Sequence, residues 1–89
     1  MLAEDNIVRV AGKQKGAYIN AVLTKLERYD EVCLTAFGNK LNRAYEIAEF
    51  VTKLKKGVKL VSIEQIEQED RHGKRHFGIR VTLRKVKKK

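Results

Sequence analysis

The chain has 89 residues, enough for one domain and too few for two, because domains commonly run to ~100–150 residues and smaller ones bury little apolar surface. Its 43% hydrophobic and 35% charged residues exclude a wholly disordered chain and suffice for a single core. The net charge of +9 points to a polyanionic partner, and it is unevenly placed: residues 1–45 hold seven basic and five acidic side chains, residues 46–70 hold four and six, and residues 71–89 hold nine and none.

Asn6 to Ala11 reads as a short strand, with Ile7, Val8 and Val10 around Arg9, ending at Gly12-Lys-Gln-Lys-Gly16, whose glycines free the backbone to turn. From Ala17 to about Tyr29-Asp30 the period is helical, with Ile19, Val22, Leu23 and Leu26 on one stripe. Glu31 to Phe37 is β-branched and apolar and too short for a helix, so it is expected as a buried strand closed by Gly38-Asn39. A second helix is expected from about Lys40 to Lys55. It carries Leu41, Ala44, Tyr45 and Ala48 on one face and Ile47, Phe50, Val51 and Leu54 beside it. That stripe is wider than one sheet requires, which suggests a second subunit. Gly57 is expected in the left-handed conformation just beyond the helix.

Val58 to Gln68 and Phe77 to Val86 read as extended. In the second, Phe77, Ile79, Val81 and Leu83 alternate with His76, Gly78, Arg80, Thr82 and Arg84, giving one oily and one basic face. Between them, Glu69 to His76 with Gly73 at its centre fits the tip of a hairpin, with Glu67 or Glu69 pairing to Arg75 or Arg80. The expected fold is α+β: a two-layer sandwich, order βαβαββ, with two helices on one face of a four-stranded mixed sheet. A single domain spans 1–89, with a hairpin arm over about 64–80 and a basic tail over 85–89.

Both strand-to-helix turns of such a fold leave the same, C-terminal edge of the parallel strands. Lys13 and Lys15 lie in the first, and Asn39, Lys40, Asn42 and Arg43 in the second. Backbone N–H groups at helix starts attract phosphate, and these side chains suit phosphate and sugar oxygens. The order of glycine, lysine and hydroxyl residues does not make a Walker A loop. Arg71, Lys74 and Arg75 on a two-stranded ribbon suit a nucleic-acid groove, and Arg80 continues the basic face. Incidental lysines in solvated turns are the competing reading for each site taken alone.

Nothing indicates catalysis, a metal or a cofactor. His72 and His76 lack a Cys or other convergent ligand, the carboxylates from Glu64 to Asp70 alternate faces along a strand, and no nucleophile and base pair stands out. Tyr18, Tyr29, Tyr45 and Phe37 read as packing residues, and Cys33 as a small buried hydrophobe. With one cysteine, no recognisable signal peptide over Met1 to Asp5 and no apolar run near ~20 residues, a soluble intracellular protein without a membrane partner is expected.

Val10-Ala-Gly-Lys13, then Leu34-Thr-Ala-Phe-Gly-Asn-Lys-Leu-Asn-Arg-Ala44 and the long terminal hairpin resemble the Alba proteins, small archaeal chromatin proteins with relatives among RNA-binding subunits of ribonuclease P and MRP. The resemblance covers Asn6 to Lys85. It implies a non-enzymatic, chromosome-associated cytoplasmic protein that binds double-stranded DNA, and RNA, without strong sequence specificity. It further implies a homodimer, or a heterodimer with a paralogue, whose two arms reach along the minor groove, and Lys13 as an acetylation site. An RNA-binding subunit of a ribonucleoprotein is the alternative. Gln14 splits the family's lysine pair, the proline that often follows is absent, Phe37 and Asn39 stand where arginines are common, and Lys55 replaces an aromatic residue of some relatives.

Overall fold

A computed structural model describes residues 6–86. The elements run β1 (Ile7–Arg9), α1 (Lys15–Arg28), β2 (Glu31–Phe37), a 3₁₀ turn (Gly38–Lys40), α2 (Leu41–Leu54), β3 (Val58–Glu69) and β4 (Arg75–Lys85). They form one sheet of order β1-β2-β4-β3, with β1 parallel to β2 and the other pairs antiparallel. The two helices pack on each other, α1 over β1 and β2, and α2 over β2, β4 and β3.

The core lies between these layers. Val8, Val32, Leu34, Ala36, Ile79, Val81 and Leu83 line the sheet side, facing Tyr18, Val22 and Leu26 of α1 and Ala44, Ile47, Ala48 and Val51 of α2. Leu34 is fully buried, so Leu34→Ala is expected to cost about 2–5 kcal/mol. The apolar stripe of α1 is displaced from the expected one: Tyr18 is buried, while Ile19 and Leu23 lie at the margin. The helix also starts at Lys15, before Ala17, with Gly16 inside its first turn. A glycine there costs only about 1 kcal/mol of helix propensity and does not forbid the conformation.

Two other local expectations change. Gly57 does not adopt a left-handed conformation; the described positive-φ glycines are Gly38 and Gly73. α2 already ends at Leu54, where the extended Lys55 donates its N–H to the Val51 carbonyl at 2.9 Å, and Val58 N–H closes a tight turn onto the Lys55 carbonyl. Phe77 has the same strand parity as Ile79 and Val81 but is 55% exposed. β2 pairs with β4 only as far as Phe37↔Gly78, whereas β3 and β4 continue together to Glu69↔Arg75. Past Gly78 neither β2 nor the buried faces of the helices shelter the strand.

The hairpin thereby becomes an arm. The molecule measures 49 × 29 × 19 Å, and its radius of gyration of 13.2 Å exceeds the ~12 Å of a compact chain this long. Lys85 lies inside β4 opposite Val58, and Val86 N–H bonds to the Gly57 carbonyl at 2.6 Å. The rest of the expected tail, residues 87–89, lies outside the described residues, as does the segment read for a signal peptide.

The sheet face without helices is less simply basic than its alternation suggests. Cys33 and Thr82 are buried and lie 3.6 Å apart through Sγ and Oγ1, and Arg84 donates to Glu31 Oε2 from Nε and Nη2 at 3.0 and 2.7 Å. The small residues in the middle of this face are thus buried, and a carboxylate pairs with the arginine at its rim.

Candidate nucleic-acid interface

Three basic features share one end of the sheet. The chain leaves β1 and β2 at their parallel C-terminal ends, and the arm extends past the same end, because the last partner of β2 on β4 is Gly78.

The first turn is held from below by the buried Tyr18, whose hydroxyl accepts part-buried hydrogen bonds from the N–H groups of Ala11 and Lys13, both at 2.9 Å. Val10 N–H meanwhile bonds to the Thr35 carbonyl at 2.8 Å, tying the end of β1 to β2. α1 then begins with no side-chain cap and no acidic residue in its first turn, which leaves its N-terminal end electropositive. The sequence predicts Tyr18 as a packing residue. Its packing role holds, but its hydroxyl also shapes the loop that presents Lys13.

The second turn opens with Gly38 at φ 60°, in the left-handed region, and passes through one 3₁₀ turn into α2. α2 likewise lacks a side-chain cap and early acidic residues. Arg43 spans the two turns, its Nη1 donating to the Lys13 carbonyl at 2.8 Å. Lys15 reaches Glu46 at 3.7 Å across the same junction. Both groups are exposed, so this pair contributes at most ~1 kcal/mol and leaves Lys15 available to a ligand. Lys13, Asn39, Lys40 and Asn42 complete the cluster, with no side-chain hydrogen bond or ion pair among the described residues. Six of the expected site residues are thus brought together.

The arm tip is organised by Asp70, the last of the carboxylates expected to alternate faces along the strand. Its Oδ1 accepts from the N–H groups of His72 and Lys74 at 2.9 and 3.0 Å, and its Oδ2 lies 3.0 Å from His76 Nε2. Asp70 N–H bonds to the Lys74 carbonyl, Gly73 N–H bonds to the Asp70 carbonyl, and Gly73 takes φ 77°. The hydrogen bond from His76, followed by that from Lys74, holds the Asp70 carboxyl below its ordinary value. An Asp that opens a short turn with glycine three residues on is a recognisable signal, because its carboxylate folds back onto the backbone ahead of it. The Arg71 and Lys74 side chains extend from this turn with no ion pair among the described residues, while Arg75 lies 3.8 Å from the Glu67 carboxylate.

Arg80 belongs to neither cluster. It sits on the helix-free face, where its Nε is buried without an acceptor, and with Arg9 it lines an open cleft. Among the described residues no group of three His, Cys, Asp or Glu is placed to hold a metal ion, and no helix is long and apolar enough to cross a membrane.

The fold matches known structures. Alba from Thermoplasma volcanium superposes with a TM-score of 0.76 at 24% identity, covering 90% of this chain and 100% of that one. ALBA1 from Trypanosoma brucei gives 0.78 at 23% identity, over 92% of this chain and 70% of the other. In sequence, the chain is 41% identical over 51 residues to a protein of Methanopyrus kandleri named DNA/RNA-binding protein Alba 2. That match covers 56% of this chain and spans little more than half, 55%, of the relative's length. The Alba family profile matches residues 6–70, nearly three quarters of the chain, and the chain belongs to the Alba family.

Proposed function

We propose that this protein is a non-enzymatic, chromosome-associated binder of double-stranded DNA, and of RNA, with little sequence specificity. One observation carries the reading: two uncapped basic turns, joined by Arg43, and a basic arm lie at the same end of one sheet. Lys13, Lys15, Asn39, Lys40, Asn42 and Arg43 would meet phosphates and sugars from the body, and Arg71, Lys74 and Arg75 from the arm. Contacts of that kind orient a duplex without reading its bases. The name of the Methanopyrus kandleri relative supports both nucleic acids as ligands.

The protein acts as a dimer in this reading. Tyr45, Phe50 and Leu54 of α2 are exposed, and so are Leu60, Val61 and Ile63 of β3, the strand on which α2 packs. An apolar surface of this extent on a small soluble domain marks an interface with a second copy or a paralogue, and a dimer with two arms coats, bridges and compacts a duplex. Lys13, exposed and without an ion pair among the described residues, suits acetylation, which removes its charge from the body cluster.

Competition between duplex DNA and structured RNA across a salt series tests the proposal. The logarithm of affinity for duplex DNA should fall with log[salt] by about 0.9 per phosphate neutralised. Salt-independent binding would sink the reading, and a strong preference for RNA would move it to a ribonucleoprotein subunit. Phe50→Asp should convert a dimer to a monomer in sedimentation at micromolar concentration. A wild-type chain already monomeric under those conditions removes the dimer.

A further inference from the structure

The helix-free face carries an aromatic residue and two arginines that the proposed duplex surface does not use. By register, Arg9, Thr35 and Arg80 form one row across β1, β2 and β4, and Phe37, Gly78 and Ile66 form the next across β2, β4 and β3. All of these but Gly78, with Ile7, Glu67 and Gln68, line an open cleft of about 420 Å³, within the ~300–1,000 Å³ of small-ligand sites.

Phe37 forms its floor at one side. A Cβ on Gly78 would meet the Ala36 carbonyl and come within 2.5 and 2.8 Å of Phe37 Cδ1 and Cε1, so the ring rests on glycine backbone and needs that glycine. The opposite side of the half-buried ring borders this cleft and a second hollow bounded by Gln68, Glu69, Asp70 and His76. Arg9 is exposed and makes no ion pair among the described residues. Arg80 is half-buried, and its Nε is shielded from solvent without an acceptor. Its register partner Glu64 forms no ion pair with it, and the nearby Glu67 is turned to Arg75. A desolvated guanidinium N–H without an acceptor is a group that an incoming oxyanion completes.

We propose that this cleft is a subsite for one unpaired nucleotide, whose base stacks on Phe37 between Ile66 and Ile7 while its phosphate is held by Arg9 and Arg80. An aromatic ring stacks only on a base whose face is free, so the ligand is a single strand, a loop or a bulge and not the interior of a duplex. The Thr35 hydroxyl and Gln68 amide supply polar contacts to its edges. The inference rests on the nucleic-acid-binding reading and adds to it a second face with a different substrate.

The test measures the full chain against a fluorescently labelled unpaired dT or U oligomer and against duplex DNA, with Phe37→Leu and Phe37→Tyr variants. Leucine keeps an apolar side chain over Gly78 and removes the stacking ring. Its affinity for the oligomer should fall about tenfold, the size of one lost base–aromatic stack, while duplex affinity stays within about twofold. Tyrosine should restore the oligomer affinity. Arg80→Gln and Arg9→Gln should together make the salt slope for the oligomer shallower by up to about 0.7, the share of one phosphate on a single strand. A 2-aminopurine placed in the oligomer should be quenched by wild type and not by Phe37→Leu. Equal losses on oligomer and duplex, or no loss on the oligomer, overturn the subsite and leave the duplex reading standing. A wild-type chain that binds neither ligand removes both.

Discussion

The body turns and the arm tip are both basic, yet they hold their charges by different means. In the body, packed side chains from elsewhere in the chain fix the backbone: Tyr18 beneath the first turn, and Arg43 bridging from the second. Part of the charge is committed there, with Arg43 bonded to a carbonyl and Lys15 near Glu46. The arm has no core. Its tip is held by strand pairing and one carboxylate, and the Arg71 and Lys74 side chains make no ion pair among the described residues. In the proposed reading the contrast separates two tasks: body turns fixed by packing would set orientation, and a protruding tip would carry Arg71, Lys74 and Arg75 to phosphates beyond the body.

Removing the arm charges should have the largest effect. With Arg71, Lys74 and Arg75 all replaced by alanine, the salt slope on duplex DNA should become shallower by up to about 2.7, and affinity at 0.1 M salt should fall by about two orders of magnitude. The loss should be similar for all duplex sequences. A sequence-dependent loss would show that the arm reads bases and would break the division of labour.

Tyr18→Phe probes the body. The side chain still fills the core, but two backbone N–H groups lose their acceptor, and urea unfolding should show a loss of about 1 kcal/mol, the lower end for unsatisfied groups because water reaches this turn. Binding should weaken severalfold with an unchanged salt slope, since no charge is removed. A changed slope would mean that the hydroxyl acts on the ligand directly.

The smallest effects belong to Asp70. Asp70→Ala should abolish amide-exchange protection at His72 and Lys74 and weaken binding a fewfold, with global unfolding almost unmoved. Its lowered value in the folded state also sets a pH dependence. The order it supplies is complete above the ordinary aspartate value of about 3.9, and is lost as pH falls through the lowered one. Amide exchange at the tip between pH 2 and 5 reads this, and protection that persists after Asp70 is protonated would assign the tip to strand pairing alone.

Much of this fold was legible in the residues. Glu31–Phe37 matched its β-branched run, α2 its wide apolar stripe, and the strand and helix order followed from changes of period, because these signals are local. The candidate site was legible as clusters of charge: Lys13 and Lys15 in one turn and Lys40 and Arg43 in another, made adjacent by parallel strands. Less legible were the residues whose role depends on a partner far along the chain. Tyr18 has the pattern of a core residue whether or not its hydroxyl meets a loop, and Arg9 reads only as a polar gap in a strand.

By itself, therefore, the sequence determined the element types, the family and the placement of the excess charge after Arg71, all of which depend on composition and short spacings. Tertiary structure decided exposure and partnership. Phe77 shares its parity with Ile79 and Val81, but β2 stops at Phe37, so Phe77 emerges on the arm. Phe37 itself ends its strand over Gly78, 41 positions later in the sequence, and that pairing turns a packing residue into one wall of an open cleft. Periodicity sets which way a side chain points; what meets it there depends on how far each neighbouring strand and helix extends.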